Sequence, residues 1–111
     1  MRLLTKKIEN EFKNYPLYSQ DGVEDKKVLC KFFCVYNNMT WYVTEASREN
    51  NDWTFFGLVT NQYGEREYGY FTLGELMSTK VNYHGFAVDA VERDDAFEPT
   101  MMSEIRELKA A

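Results

Sequence analysis

The sequence predicts an α+β domain: an antiparallel sheet of about five strands, a four-strand meander plus one, with N-terminal, short middle and C-terminal helices packed mainly on one face. Three observations predict it. Segments rich in aromatic and β-branched residues recur between residues 28 and 72, with short polar stretches between them. Apolar residues fall at helical spacing at both ends of the chain. A helix-start signature, Thr72 followed three residues later by Glu75, closes the strand block. Short links between successive strands demand antiparallel pairing, and the grouping of helices and strands gives the α+β class.

In "LLTKKIENEFKN", Leu4, Ile8 and Phe12 form one helical stripe, with Thr5 as N-cap. Pro16 ends that helix because its ring and missing N–H cannot continue the ladder. A surface loop follows, with a turn at Asp21–Gly22. "VLCKFFCVY" (28–36) is the first strand, and Asn37–Asn38 the turn after it, since Asn tolerates positive φ. "TWYVTEA" (40–46) is the second, with Trp41, Val43 and Glu45 on one face and Tyr42 and Thr44 on the other. "RENND" turns the chain. "WTFFGLVT" (53–60) is apolar on both faces, hence central, and "REYGYFT" (66–72) is the fourth strand. Gly57 and Gly69 inside these strands mark a bulge or a close approach, read as an aromatic ring stacked over them. The Thr72–Glu75 box starts a short helix to about Thr79. "NYHG" is a turn, and "FAVDAVER" (86–93) the fifth strand. Met101, Ile105 and Leu108 then form the stripe of a C-terminal helix.

With 111 residues the chain suits one domain over residues 1–111, and an apolar content of 44% is enough to offset chain entropy. Its net charge of −5 is uneven: residues 1–31 carry seven basic against five acidic side chains, residues 89–111 three against seven. An acidic chain repels phosphate backbones, so direct nucleic-acid binding is not expected. The acidic end serves either solubility or a basic protein partner. Cys30 and Cys34 lie in one predicted strand, roughly 13 Å apart at strand rise, too far to bridge. Free thiols fit a reducing cytoplasm. "MRLLTKKIENEF" reads as neither a secretory signal nor a membrane anchor.

The carboxylates are the candidate chemistry. Glu45, Glu67, Glu92 and Asp94 fall near strand ends, and gathered together they would hold Mg²⁺ or Mn²⁺ for phosphoester hydrolysis. No fixed spacing supports that set, and strand ends ordinarily carry charge into water. Glu45 sits on an apolar strand face, where a salt bridge to Arg93 or Arg66 is the structural expectation. His84, the sole histidine, lies in a turn, and no Ser occupies a nucleophile elbow. Two Cys and one His do not complete a zinc site, and no cofactor is expected. The sheet aromatics populate both faces. One face lies under the helices; the other, with Tyr42 and Tyr70 as amphipathic tips, is either a protein-binding patch, a second core layer or a homodimer contact.

The ordered set "LLTKKIENEF", "PLYSQD", "VLCKFFCVYNNMTWYVTE", "FFGLVTN", "EREYGYFTLGEL" and "VERDDAFEP" resembles the small bacterial and phage family known as domain of unknown function 2958. The likeness covers almost the whole chain; "TWYVTE", "FFGLV", "GYFTLGEL" and "ERD" followed by "FEP" carry it most specifically. The resemblance implies a small soluble protein of the kind carried by plasmids, conjugative elements or phages, and implies no chemistry. The expectation is a non-enzymatic accessory binding protein engaging a protein partner through Tyr42, Glu45, Tyr70, Glu92, Arg93, Asp94 and Asp95. The rivals are the metal-dependent hydrolase and a homo-oligomeric scaffold.

Overall fold

The computed structural model describes residues 2–109. Thr5 caps α1 (Lys6–Phe12) through its side-chain oxygen, which accepts the Ile8 N–H at 3.2 Å, and the Leu4, Ile8 and Phe12 stripe faces the sheet. The chain then passes β1 (Lys27–Val28), β2 (Cys30–Cys34), β3 (Thr40–Glu49), β4 (Asp52–Thr60) and β5 (Arg66–Thr72), α2 (Leu73–Ser78), the hairpin β6 (Lys80–Tyr83) and β7 (Phe86–Asp89), then β8 (Val91–Arg93) and β9 (Thr100–Met101). The main sheet has the order β5-β4-β3-β2-β8, with every pairing antiparallel. Two small two-stranded sheets, β1 with β9 and β6 with β7, flank it.

Turn chemistry fixes much of this. Asn50 and Asn51 both take positive φ, 52° and 62°, as a two-residue hairpin turn requires. His84 and Gly85 do the same for β6–β7, at 51° and 88°. Gly22 takes φ 73° in the Asp21–Gly22 turn. The Asn37 turn forms without positive φ; its Oδ1 accepts the Met39 N–H at 2.9 Å instead. Thr72 and Glu75 complete the capping box of α2.

Each sheet face carries a buried layer, though on the face opposite α1 it stops short of Tyr68 and Tyr70. On one, α1, α2 and Leu3–Leu4 bury a layer in which Phe12 lies 5.1 Å from Trp53 and 5.7 Å from Phe55, ring centre to ring centre. Phe55 also meets Phe32 and Phe71 at 5.9 and 5.5 Å. The opposite face has a smaller core of Val28, Tyr42, Leu58 and Ile105, with Phe97, Met102 and Leu108 against it.

Four expectations are corrected. The C-terminal segment is not an α-helix but two 3-10 turns, Met102–Glu104 and Arg106–Leu108, and it covers the face opposite α1 and α2. Its polar groups are taken by other parts of the chain: Met102 N–H by the Lys26 carbonyl at 2.8 Å, Ser103 by Asp25, and the Leu108 carbonyl by Arg66 at 2.7 Å. So short a segment gains more from those bonds than from nucleating an α-helix. "FAVDAVER" is two strands in different sheets. At Ala90 the N–H goes to the Thr79 carbonyl and the carbonyl to the Val35 N–H, and the chain changes sheet there. The first strand likewise breaks at Leu29, whose N–H reaches the Val43 carbonyl at 2.7 Å, and ends at Cys34.

The fourth correction concerns Gly57 and Gly69. A ring is the nearest neighbour of neither. A Cβ on Gly57 would meet the Tyr42 carbonyl oxygen at 2.0 Å, so it is backbone that approaches there, while nothing lies within 4 Å of the corresponding point on Gly69. Among the described residues no helix is long and apolar enough to cross a membrane.

Candidate functional site

β5 is an outer strand of the main sheet, and its seven residues pair with β4 without a register break, from Thr54 opposite Thr72 to Thr60 opposite Arg66. Its outward edge carries no proline, lysine or bulge, and its charged residues, Arg66 and Glu67, are confined to its start. Among the described residues, one β5 backbone group bonds outside the sheet: the Thr72 N–H, accepted by Glu75. The other outer strand, β8, has three residues, and Arg93 at its end is tied to the Arg2 carbonyl and to Asp95.

Alternation along β5 puts Tyr68 and Tyr70 on the face opposite α1, Tyr70 directly across from Phe56 of β4 and Tyr68 across from Leu58, diagonal to Phe56. Tyr68 stacks on Phe56 with ring centres 5.7 Å apart, and Tyr70 meets it tilted at 4.9 Å. Both tyrosines are exposed, Tyr70 by 56%. Tyr18 joins them from the loop before β1 and is itself 63% exposed. On the far side of the strand a shallow groove of about 420 Å³ runs beside Val59, Glu67 and Gly69, where Gly69 contributes no side chain.

Glu45 sets the place of Tyr18. A bulge between Val43 and Glu45 turns Glu45 away from the Trp41–Val43 face, and its carboxylate is 1% exposed. It finds no arginine; the expected bridge to Arg93 or Arg66 does not form. Instead Glu45 accepts the Tyr18 N–H at 2.7 Å and the Gln20 N–H at 2.9 Å. Amides two residues apart converge on one carboxylate, as in the backbone concavities that bind anions. Tyr18 takes φ 75° to allow it. Gln20, also buried, donates to the Thr44 and Lys27 carbonyls and accepts the Lys27 N–H, locking the loop to β1 and β3.

Carboxylates stand near these rings. Partial desolvation, then the Tyr18 hydroxyl and the charges of Asp21 and Glu45, push the Tyr70 phenol above its ordinary value. Desolvation and then Asp25 do the same for Tyr68.

A second polar cluster fastens the C-terminal turns to the sheet. Glu107 accepts from Lys31 at 2.6 Å and from the Tyr42 hydroxyl at 2.9 Å. Burial, then Glu107, push the Tyr42 phenol up. Desolvation would raise the Glu107 carboxyl, but the Lys31 and Tyr42 hydrogen bonds outweigh it and hold it below its ordinary value of 4.5. A carboxyl lowered on folding stabilises above its unfolded value and loses that contribution as pH falls through the folded one. The 3-10 turns are therefore expected to loosen on acidification below about pH 4.5, seen as faster amide exchange at Ile105 than the rest of the core shows. Glu107→Gln removes that pH dependence, and an unchanged acid profile in the variant would exclude this origin.

The sequence-predicted residues do not form one site: Glu45 lies near Tyr70 and Arg93 pairs with Asp95, but the two groups stand on different parts of the sheet. Tyr42 is 2% exposed and lies in the smaller core, so it is no surface tip. Glu45 is buried and satisfied by amides. Tyr70 is on β5, whereas Glu92 and Arg93 are on β8 and Asp94 follows it, at the opposite side of the sheet. Asp94 accepts the Ala96 N–H at 3.0 Å and stands 3.8 Å from Lys31; Asp95 pairs with Arg93. Of the proposed metal set, Glu67 and Glu92 sit on strands four spacings apart, roughly 19 Å at ordinary strand separation. Among the described residues no group of three or more His, Cys, Asp or Glu side chains is placed to hold a metal ion. Cys30 and Cys34 are free and buried, and burial pushes the Cys30 thiol far above its ordinary value. His84 is exposed in the β6–β7 turn, edge-on to Tyr83 at 4.3 Å.

Sequence reasoning passed over Tyr18, Phe56 and Tyr68 as site residues. The period-two relation of Tyr68 to Tyr70 held the signal for one of them; Tyr18 reaches the patch only through the Glu45 contact.

No curated protein and no solved structure matches the chain. The sequence model of one family, described as protein of unknown function, spans residues 3–108, which takes in the β5 edge, its aromatic cluster and the Glu45 clamp alike. On that coverage the chain belongs to the DUF2958 family.

Proposed function

We propose that this chain is a non-enzymatic accessory binding protein of a mobile element or phage, and that it engages a basic, extended segment of a partner protein by strand addition to β5. The observation that carries this reading is the unguarded β5 edge: seven regular residues with two exposed tyrosines, amid carboxylates. An added strand would take up the free edge N–H and C=O groups, and alternate side chains would lie against Tyr68 and Tyr70. Asp21, Asp25, Glu65 and Glu67 outnumber Lys26 and Arg66 near that edge, so lysine or arginine in the partner suits it, in ion pairs and over the tyrosine rings. The mobile-element setting rests on the family resemblance alone.

The test uses a short peptide of alternating Lys and Val as a generic basic strand. The expected result is protection of β5 amides from hydrogen exchange at physiological salt, lost in the Tyr68→Lys/Tyr70→Lys double variant. Protection confined to other segments, or none, would overturn the reading. Light scattering separates the scaffold alternative: a dimer with β5 amides already protected in the absence of peptide assigns the edge to a second copy.

A further inference from the structure

A cleft of about 590 Å³ opens on the other side of the molecule, between α1, α2 and the β6–β7 hairpin, with no part in the β5 edge. Its volume is in the range of about 300–1,000 Å³ typical of small-molecule sites. Its floor is apolar and mostly buried: Leu3, Leu4, Trp53, Leu76 and Val91, with half-buried Leu73 beside them. Met77, 58% exposed on α2, hangs over the opening, a flexible thioether able to fit itself to an apolar occupant.

The rim is basic in a chain that is acidic overall. Lys80 and Asp89 pair with each other, and that pairing lowers the Asp89 carboxyl. This leaves Arg2 and Arg48 against Glu9. Among the described residues neither arginine side chain has a carboxylate within 4.0 Å. The Arg48 guanidinium lies over the Trp53 ring, 5.7 Å from its centre, so a cation is held at the boundary between the apolar floor and water. The Arg2 main chain is pinned by Arg93, which donates to its carbonyl at 2.5 Å.

We infer that this cleft binds a small amphipathic anion, an apolar body on the leucine and tryptophan floor with a single carboxylate or phosphate head at Arg48 and Arg2. An apolar floor alone would accept any oily molecule. Two guanidinium groups free of carboxylate partners select the charged head, since a planar fork meets either oxyanion with paired hydrogen bonds. The backbone around the floor is already fixed by α2's capping box and by the Ala90 crossing, so the site is formed before the ligand arrives.

Decanoate is the probe, with decan-1-ol as the uncharged equivalent. Amide shifts of Leu73, Leu76 and Val81 are followed by NMR on the intact chain. Decanoate is expected to shift them saturably at up to about 1 mM, decan-1-ol to bind about tenfold more weakly, and Arg48→Glu to cost about tenfold in decanoate affinity. Arg2→Glu should do the same, and Lys13→Glu, on an exposed position outside the cleft, should not. Decyl phosphate binding in place of decanoate assigns a phosphate head to the same site. The inference is overturned by shifts absent from these amides with both anions, by equal binding of the alcohol, or by full affinity in both arginine variants with native circular dichroism.

Discussion

Gly57→Ala is expected to lower stability by about 3 kcal/mol, the upper part of the usual cost of forcing atoms into a packed interior. The reason is local. The added methyl would sit 2.0 Å from the Tyr42 carbonyl oxygen, 2.9 Å from its carbon and 3.0 Å from the Val43 Cα. All three are backbone atoms of β3 beside the bulge, so no side chain can swing aside and the β3–β4 pairing itself must give. Gly69→Ala is the matched control: it lies opposite Gly57 on β5, with nothing within 4 Å of its Cβ position and φ outside the left-handed region. Its effect is expected within about 0.5 kcal/mol. Chemical denaturation of the two variants decides the matter through the midpoint at constant slope. Equal midpoints would show that the β3–β4 approach is not as tight as described.

Glu45→Ala is expected to cost about 3 kcal/mol, because hydrogen bonds to a charged acceptor are worth about 1.5–3 kcal/mol each and two amides lose theirs at once. The cost is expected to fall first on the 16–27 loop. Amides of Tyr18 and Gln20 should exchange freely while the Phe12–Phe55 core stays protected at lower denaturant. Glu45→Gln keeps one acceptor oxygen but turns an NH₂ toward the other N–H, at an expected cost of about 2 kcal/mol. Glu92→Ala, on the short outer strand, should change stability by less than about 0.5 kcal/mol. Since Tyr18 stands where Glu45 holds it, Glu45→Ala should also weaken basic-strand binding at β5. If the variant folds as stably as the parent, with loop exchange unchanged, the clamp is not what holds that loop.

Much of the fold was legible because it is local. Thr5, the Leu4–Ile8–Phe12 stripe and the Thr72–Glu75 box are adjacent in sequence to what they cap or bury, and each formed where the spacing placed it. The meander followed from short turns between β-rich segments. The C-terminal stripe misled because helical spacing over so few residues does not exclude 3-10 turns, and the partners that decided it, Lys26, Asp25 and Arg66, are distant in sequence. The split of residues 86–93 was hidden likewise: alternation continues through Ala90, and the bonds to Thr79 and Val35 that divide the strand leave no mark on it.

Glu45 shows the division most plainly. By itself the sequence determined that this is a ring-rich antiparallel sheet with capped helices, that its thiols cannot bridge within one strand, and that Glu45 needed a buried partner. Only the tertiary structure decided that the partner is a pair of amides, that Tyr42 is interior while Tyr68 and Tyr70 face water, and that the acids stand apart. For Tyr42 the physical reason is the C-terminal turns, which bring Ile105 and Glu107 over it; for Glu45 it is the bulge at Thr44. One extra residue reverses which face every later side chain of β3 occupies, and its presence depends on the strand opposite rather than on any pattern within β3.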